Sequence, residues 1–334
     1  MNHGGIGRYV RSARSKLTES NQAEHIIMSE AIMLRLSDTV QMPMVGFGTY
    51  LISDEDVETC VANAIEVGYR HIDTAEGYQN ERGVGVAIDN ALSNQGLTRE
   101  ELFVTTKLWP GNPAWGMAEK TYEETIESCE ASLERLQLSH VDLYLIHAPF
   151  AQRERLEQWR ALVELKRRGK AKAIGVSNYR EIHIKEIEAS AMPMPEMNQI
   201  ELHPWSQKPE LVSYLADKRI SITAYSSLIP LSTWRTEEGQ DSAKTRAMRA
   251  DSESADSPFK RMAGKYGVSE AQVLLRWAIQ KGYAVLPKSA SKERARQNID
   301  LFSFAIDDDD MAAISSMDRG DGVAWAQGDP SAIA

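Results

Sequence analysis

Asp73, Tyr78, Lys107 and His147 are the residues of this 334-residue chain whose types and spacing could do chemistry together. Asp73, Lys107 and His147 close three successive apolar runs, "YRHIDTA", "LFVTTKLW" and "VDLYLIHAP", and Tyr78 follows Asp73 by five positions. Asp73 would pair with Lys107, hold it charged and fix its place. A lysine ammonium within a few ångströms of a phenol favours the ionised form and lowers a pKa that is ordinarily about 10. An N–H of His147 could orient a carbonyl oxygen and stabilise the charge developing on it. Such a set polarises a C=O and delivers a proton to it. The hydride needed to complete a reduction comes from no side chain, so the chemistry calls for a nicotinamide cofactor. Each residue alone has a plainer reading as a capping or core group; four of them converging from consecutive strands do not. His71 and Asp73 could also suggest a strand-end metal pair, but a zinc site needs further ligands from other strands, and Lys107 would oppose the metal. No metal is expected.

The elements that would bring these residues together follow from the hydrophobic pattern. Eight short apolar runs, from "MVGFGTY" to "YAVLPKSA", alternate with amphipathic stretches at 54–67, 80–96, 119–137, 152–168, 180–190, 209–219, 269–282 and 291–302. In the third stretch Ile126, Cys129, Leu133 and Leu136 share one helical face. This alternation predicts an α/β fold, a single-domain (β/α)8 TIM barrel over residues 33–334. "MLRLSDTVQMPM" reads as an N-terminal β-hairpin plugging the floor. The polar stretch 229–257 reads as a long loop after the seventh barrel strand, and 307–334 as a short helix followed by a Gly-rich end containing Trp325. The rival doubly wound dinucleotide fold requires G-x-G-x-x-G directly after a strand. The nearest match, Gly83-Val84-Gly85-Val86-Ala87-Ile88, lacks the third glycine and follows the polar "YQNER". Barrel enzymes gather their chemistry at the C-terminal strand ends, which here carry Thr49 and Tyr50, Asp73 with Tyr78 just beyond, Lys107, His147, Ser177, Asn178, Gln199 to His203, Tyr225, Ser226 and Lys288.

Composition narrows the partners. A formal net charge of −10 argues against nucleic acid or an anionic membrane as a partner. No run of about 18 apolar residues occurs that could span a bilayer. Cys60 and Cys129, both in helical stretches, fit a reducing compartment better than a disulfide framework. Residues 1–32 read as a basic leader, with Arg8, Arg11, Arg14 and Lys16 and no acid before Glu19. It is expected to be disordered, with a misassigned start (Met28 or Met33) or an organelle presequence as alternatives. A cytoplasmic monomer is the expectation, with a weak dimer or organelle targeting as the alternatives.

In order along the chain, "GYRHIDTAEGYQNE", "TTKLW", "VDLYLIHAP", "GVSN", "NQIELHP" and "LPKSASKERARQN" resemble the successive motifs of the aldo-keto reductase superfamily, across roughly residues 34 to 320. The resemblance implies a barrel that binds NADPH/NADP+ extended across its rim and reversibly reduces aldehydes or ketones to alcohols. It implies Asp73, Tyr78, Lys107 and His147 as the catalytic tetrad, with Tyr78 the acid in reduction and the base in oxidation. Carried over by motif, Ser177, Asn178 and Gln199 would hold the carboxamide, and Tyr225 would stack on the nicotinamide. Gly48, Thr49, Tyr50 and Asp73 would line the first contact region, and Ser226 and Leu228 the pyrophosphate loop. Lys288, Ser289 and Arg294 match a pocket for the 2′-phosphate and so imply a preference for NADPH. Asn298 matches an adenine contact, and Gln297 stands where a glutamate is usual. Tyr50, Trp109, Trp115, His147 and Trp234 would line the pocket for a small-molecule carbonyl substrate. Ala148 follows the histidine where many relatives carry tryptophan, and the tail is short, so an open pocket of broad specificity is expected. The pattern is most similar to reductases of small aldehydes, ketoses and diketo sugar acids; a cofactor-binding protein without catalysis is the alternative.

Overall fold

The computed structural model describes residues 33–94, 96–231, 254, 256–320, 322, 324–325 and 329–332. Its centre is an eight-stranded parallel sheet built from β3 (Phe47–Gly48), β4 (His71–Asp73), β5 (Phe103–Leu108), β6 (Val141–Ile146), β7 (Ala171–Ser177), β8 (Met197–Glu201), β9 (Ser221–Tyr225) and β10 (Ala284–Val285). Each strand pairs with the next in sequence. Val45 pairs in parallel with Val285, with Val285 N–H donating to Met44 O at 2.7 Å and Gly46 N–H to Val285 O at 2.8 Å, so the first strand meets the last. Helices α1 (Asp54–Glu66), α2 (Glu81–Asn94), α3 (Tyr122–Leu136), α4 (Arg155–Arg167), α5 (Glu181–Ala189), α6 (Pro209–Asp217), α7 (Pro258–Tyr266), α8 (Glu270–Gln280), α9 (Lys292–Ile299) and α10 (Asp308–Ser315) complete the alternation.

Local chemistry explains where these helices begin. Thr121 and Glu124 close a capping box at α3, Ser269 and Gln272 another at α8, and Ser53 caps α1 through Asp56 N–H. On α3 the predicted face of Ile126, Cys129, Leu133 and Leu136 is buried. Helix α7 was not foreseen. Ser257 precedes it, Pro258 opens it and Gly267 ends it in the left-handed region, while Phe259, Met262 and Ala263 are buried. At nine residues beside a polar run it gives too short a periodic signal to stand out. Most of the predicted 229–257 loop lies outside the described residues.

Strand alternation separates two cores. Residues such as Val104, Tyr144 and Ile146 face out and pack with the helices. A second cluster, Phe103, Leu143, Leu145, Ala173, Met197 and Ala284, joins Leu36, Val40 and Met42 of the N-terminal segment. There β1 (Met33–Arg35) and β2 (Gln41–Pro43) form a two-stranded sheet, and they supply the floor expected from the sequence. His71 sits just above, with Nδ1 against Pro43 O at 3.2 Å and Nε2 against Thr105 Oγ1 at 3.1 Å. Both its nitrogens are engaged in this scaffold.

Candidate active site

Along β4 and β5 the inward positions turn polar toward the C-terminal ends. Asp73 aligns with Thr105, and Lys107 lies one pleat further along, so its ammonium meets the end of the adjacent strand. Lys107 is fully buried; its Nζ donates to Asp73 Oδ1 at 2.5 Å, to Thr74 O at 2.8 Å and to Tyr78 Oη at 3.4 Å. The second Asp73 oxygen accepts Gln199 Nε2 at 2.8 Å, so the carboxylate is held from both sides. Tyr78 closes a short 3-10 turn, Glu76–Tyr78, after which Gln79 takes the left-handed region at φ 58°. Buried Asn80 staples this turn to the preceding loop: its amide donates to Thr49 O and Ile52 O, both at 3.0 Å, and its oxygen accepts Thr74 Oγ1. Next to it Glu81 opens α2 and is buried against Thr106, Ser132 and Arg135. His147, one residue past β6, packs edge-on against Tyr78 with ring centres 5.4 Å apart. Its Nδ1 has no hydrogen-bond partner among the described residues.

The electrostatics of the tyrosine differ from the expectation. Burial raises the Tyr78 hydroxyl well above its ordinary pKa of 10, and the Asp73 carboxylate adds to that rise. Lys107, 3.4 Å from the hydroxyl against 2.5 Å from Asp73, does not outweigh that burial. Burial also pulls Lys107 down, opposed by Asp73, and holds His147 well below the ordinary histidine range, with Lys107 adding to the shift. The arrangement therefore holds a proton on Tyr78 and keeps His147 neutral, able to donate one N–H.

A cavity of about 670 Å³ opens over these groups and is lined by Gly48, Tyr50, Asp73, Tyr78, Trp109, Trp115, His147, Ser177, Asn178, Gln199, Tyr225, Ser226, Leu228 and Lys288, all singled out by sequence. Thr49 is not among them: it is wholly buried, with its N–H and Oγ1 both donating to Asp73 O. Trp234 lies outside the described residues. On the rim Asn178 adopts the left-handed region at φ 64°, its amide donating to Ser177 Oγ and to His147 O, both at 3.0 Å. Tyr225 Oη donates to Asn178 Oδ1 at 2.7 Å. At the cavity's other end is exposed Lys288, and Arg294 Nε approaches the Oγ of neighbouring Ser289 at 3.4 Å. Lys292 pairs with Glu66 and Arg296 with Glu293, whereas Lys288 and Arg294 make no ion pair among the described residues. On α9 Asn298 is buried and Gln297 exposed. Amide and hydroxyl groups beside the tetrad, an aromatic ring next to them, the cation Lys288 in the cavity wall and a second cation, Arg294, outside the lining beside Ser289 fit an extended nicotinamide dinucleotide phosphate.

Sequence reasoning missed several groups. Glu76 accepts Trp109 N–H at 2.9 Å and Lys120 Nζ at 2.6 Å, tying the tyrosine's turn to the loop that carries Trp109 and Trp115. Leu286, Pro287, Ala324 and Trp325 also line the cavity. Trp325 packs against Phe150 at 5.7 Å and His147 at 6.0 Å between ring centres, so the tail walls a pocket that its shortness had suggested would stand open. A lone tryptophan in an otherwise small and polar tail was the available signal. Ala148 is fully buried and does not line the cavity.

A model of the aldo/keto reductase family matches residues 44–319. The chain is 35% identical over 294 residues to methylglyoxal reductase DkgA of Escherichia coli K12, covering 88% of this chain and 96% of the relative. It is 37% identical over 287 residues to glyoxal reductase of Bacillus subtilis, covering 86% and 92%. Among solved structures, an aldo-keto reductase of Bombyx mori in complex with NADP superposes with a TM-score of 0.77 at 34% identity, over 88% of this chain and 94% of that one.

Proposed function

The chain belongs to the aldo/keto reductase family, and from that premise and the site's geometry we infer that it is an NADP(H)-dependent oxidoreductase converting aldehyde or ketone carbonyls reversibly to alcohols. The observation that carries the reading is the buried line Asp73–Lys107–Tyr78 at the mouth of the barrel, with His147 against the tyrosine ring. A bound nicotinamide supplies the hydride. Tyr78 gives its proton to the carbonyl oxygen as charge develops there. The phenolate left behind is stabilised by the Lys107 ammonium, which Asp73 keeps in place and charged. His147 donates an N–H to the same oxygen and orients the substrate. Asn178, Ser177, Gln199 and Tyr225 would hold the nicotinamide end, and Lys288, Ser289 and Arg294 the 2′-phosphate.

The relatives named for methylglyoxal and glyoxal make small 2-oxoaldehydes the first substrates to try, and the aromatic walls extend the reading to aromatic aldehydes. In this reading residues 33–334 act as one catalytic domain behind the leader. It works as a monomer in the cytoplasm, with neither nucleic acid nor membrane as partner; Cys60 and Cys129, buried and unpaired, suit a reducing compartment. The test is Tyr78→Phe. NADPH oxidation with methylglyoxal or 4-nitrobenzaldehyde should fall by at least about 100-fold, the scale of a lost general acid, with NADPH binding by fluorescence titration retained. Undiminished turnover would sink the mechanism, and binding without turnover in the unaltered protein on a broad carbonyl panel would favour a non-catalytic role.

A further inference from the structure

At the rim end of β8, Glu201 is a buried acid that the tetrad does not use. One of its oxygens meets His203 Nε2 at 3.0 Å; the other accepts Ala324 N–H from the tail at 2.9 Å. Gly322 passes so close that a Cβ there would overlap the carboxylate, so only glycine permits this approach. One residue beyond Ala324, Trp325 Nε1 donates to Tyr225 Oη at 3.0 Å. The donors then run in a single direction. Trp325 gives its N–H to Tyr225, Tyr225 gives its O–H to Asn178 Oδ1, and Asn178 gives its amide to His147 O. Tyr225 thus has its hydroxyl held as acceptor and donor at once, which restrains where its ring can sit.

We propose that Glu201 and Trp325 are positioning residues: Glu201 docks the tail on the barrel rim, and Trp325 thereby locks the Tyr225 ring for the cofactor while its own ring walls the substrate side. The inference rests on the oxidoreductase reading and adds a coupling to it. A change in the tail should be felt by the cofactor, and a residue that only lined the substrate pocket would not produce that effect. Fixed orientation of a stacking ring is worth rate and affinity because less ordering remains to be done on binding.

Trp325→Phe tests this, because it keeps an aromatic ring in the wall and deletes the N–H, at the cost of some ring surface. NADPH affinity is measured by quenching of protein fluorescence, and KM for methylglyoxal by NADPH absorbance. The loss of one hydrogen bond predicts a rise of about five-fold in the NADPH dissociation constant, with a smaller change in KM for the aldehyde. Glu201→Gln should weaken NADPH in the same direction, and the double variant should be no weaker than the worse single, since both act through one contact. An unchanged NADPH constant in Trp325→Phe, or additive effects in the double variant, would overturn the coupling. If the unaltered protein bound NADPH and turned over, the oxidoreductase reading would survive that result; failure of the unaltered protein to bind NADPH would instead remove the premise.

Discussion

Lys288, which lines the cavity, and Arg294 on α9 nearby have no acid paired with them among the described residues, although Lys292 and Arg296, also on α9, are each paired. A cation held without an acid is ready for an anion, and an arginine meets phosphate through two parallel donors. Arg294→Ala should therefore raise KM for NADPH by roughly 10- to 100-fold, the scale of a charged hydrogen bond, and leave KM for NADH much less affected. Equal effects on both cofactors, measured by steady-state kinetics, would remove the phosphate assignment. At this scale strand ends were readable and long-range docking was not. Asp73, Lys107 and His147 could be picked out because each closes its own apolar run. Glu201 closes one too, but besides nearby His203 it holds the backbone of residue 324, and no local pattern announces a contact 123 positions away. The Asp73–Lys107 pair was readable too, but not that burial would hold Tyr78 as a firmly protonated phenol beside it.

Among the elements, the N-terminal hairpin has the least obvious task. It contributes no residue to the cavity, yet Met42 is wholly buried among Phe103, Leu143, Leu145 and their neighbours at the barrel floor. Met42→Ala should destabilise the fold by about 2–5 kcal/mol, the usual range for emptying such a site, read as a lower urea midpoint at unchanged slope. Because the floor and the rim are separate layers, kcat and KM at a permissive temperature should hold. A loss of activity without a loss of stability would mean that the plug reaches the site. The hairpin and the eight strand-and-helix units were legible because short apolar runs alternate with longer amphipathic stretches along the chain, and some of the helices, such as α1, α3 and α8, open on clear caps. Helix α7 was not: its apolar face of Phe259, Met262 and Ala263 is one short stripe after a long polar run.

For the molecule as a whole, the barrel interior holds two neutral imidazoles at different heights, His71 above the floor and His147 at the rim. Burial lowers the His71 pKa from 6.5 to about 4, opposed by the nearby Asp73 and Asp142 carboxylates and assisted by Lys107; burial moves His147 in the same direction. Both shifts make the unfolded chain the stronger proton binder at mildly acid pH. Stability from these groups is complete above about pH 6.5 and falls as the pH drops toward 4. For His71 alone the full passage is worth roughly 3 kcal/mol, of which about 2 kcal/mol is lost by pH 5. His71→Gln offers the floor a polar group that does not titrate. Urea unfolding at pH 7.5 and pH 5.0 should show the unaltered protein losing about 2 kcal/mol more than His71→Gln, the carboxylates being common to both. Parallel losses would mean that the imidazole already carries its proton inside the fold. The His71→Gln protein should itself be less stable at pH 7.5, because the glutamine cannot span Pro43 O and Thr105 Oγ1 as the ring does. A variant that is weaker at neutral pH yet flatter toward acid separates the titration from the packing, which a single measurement of stability would confound.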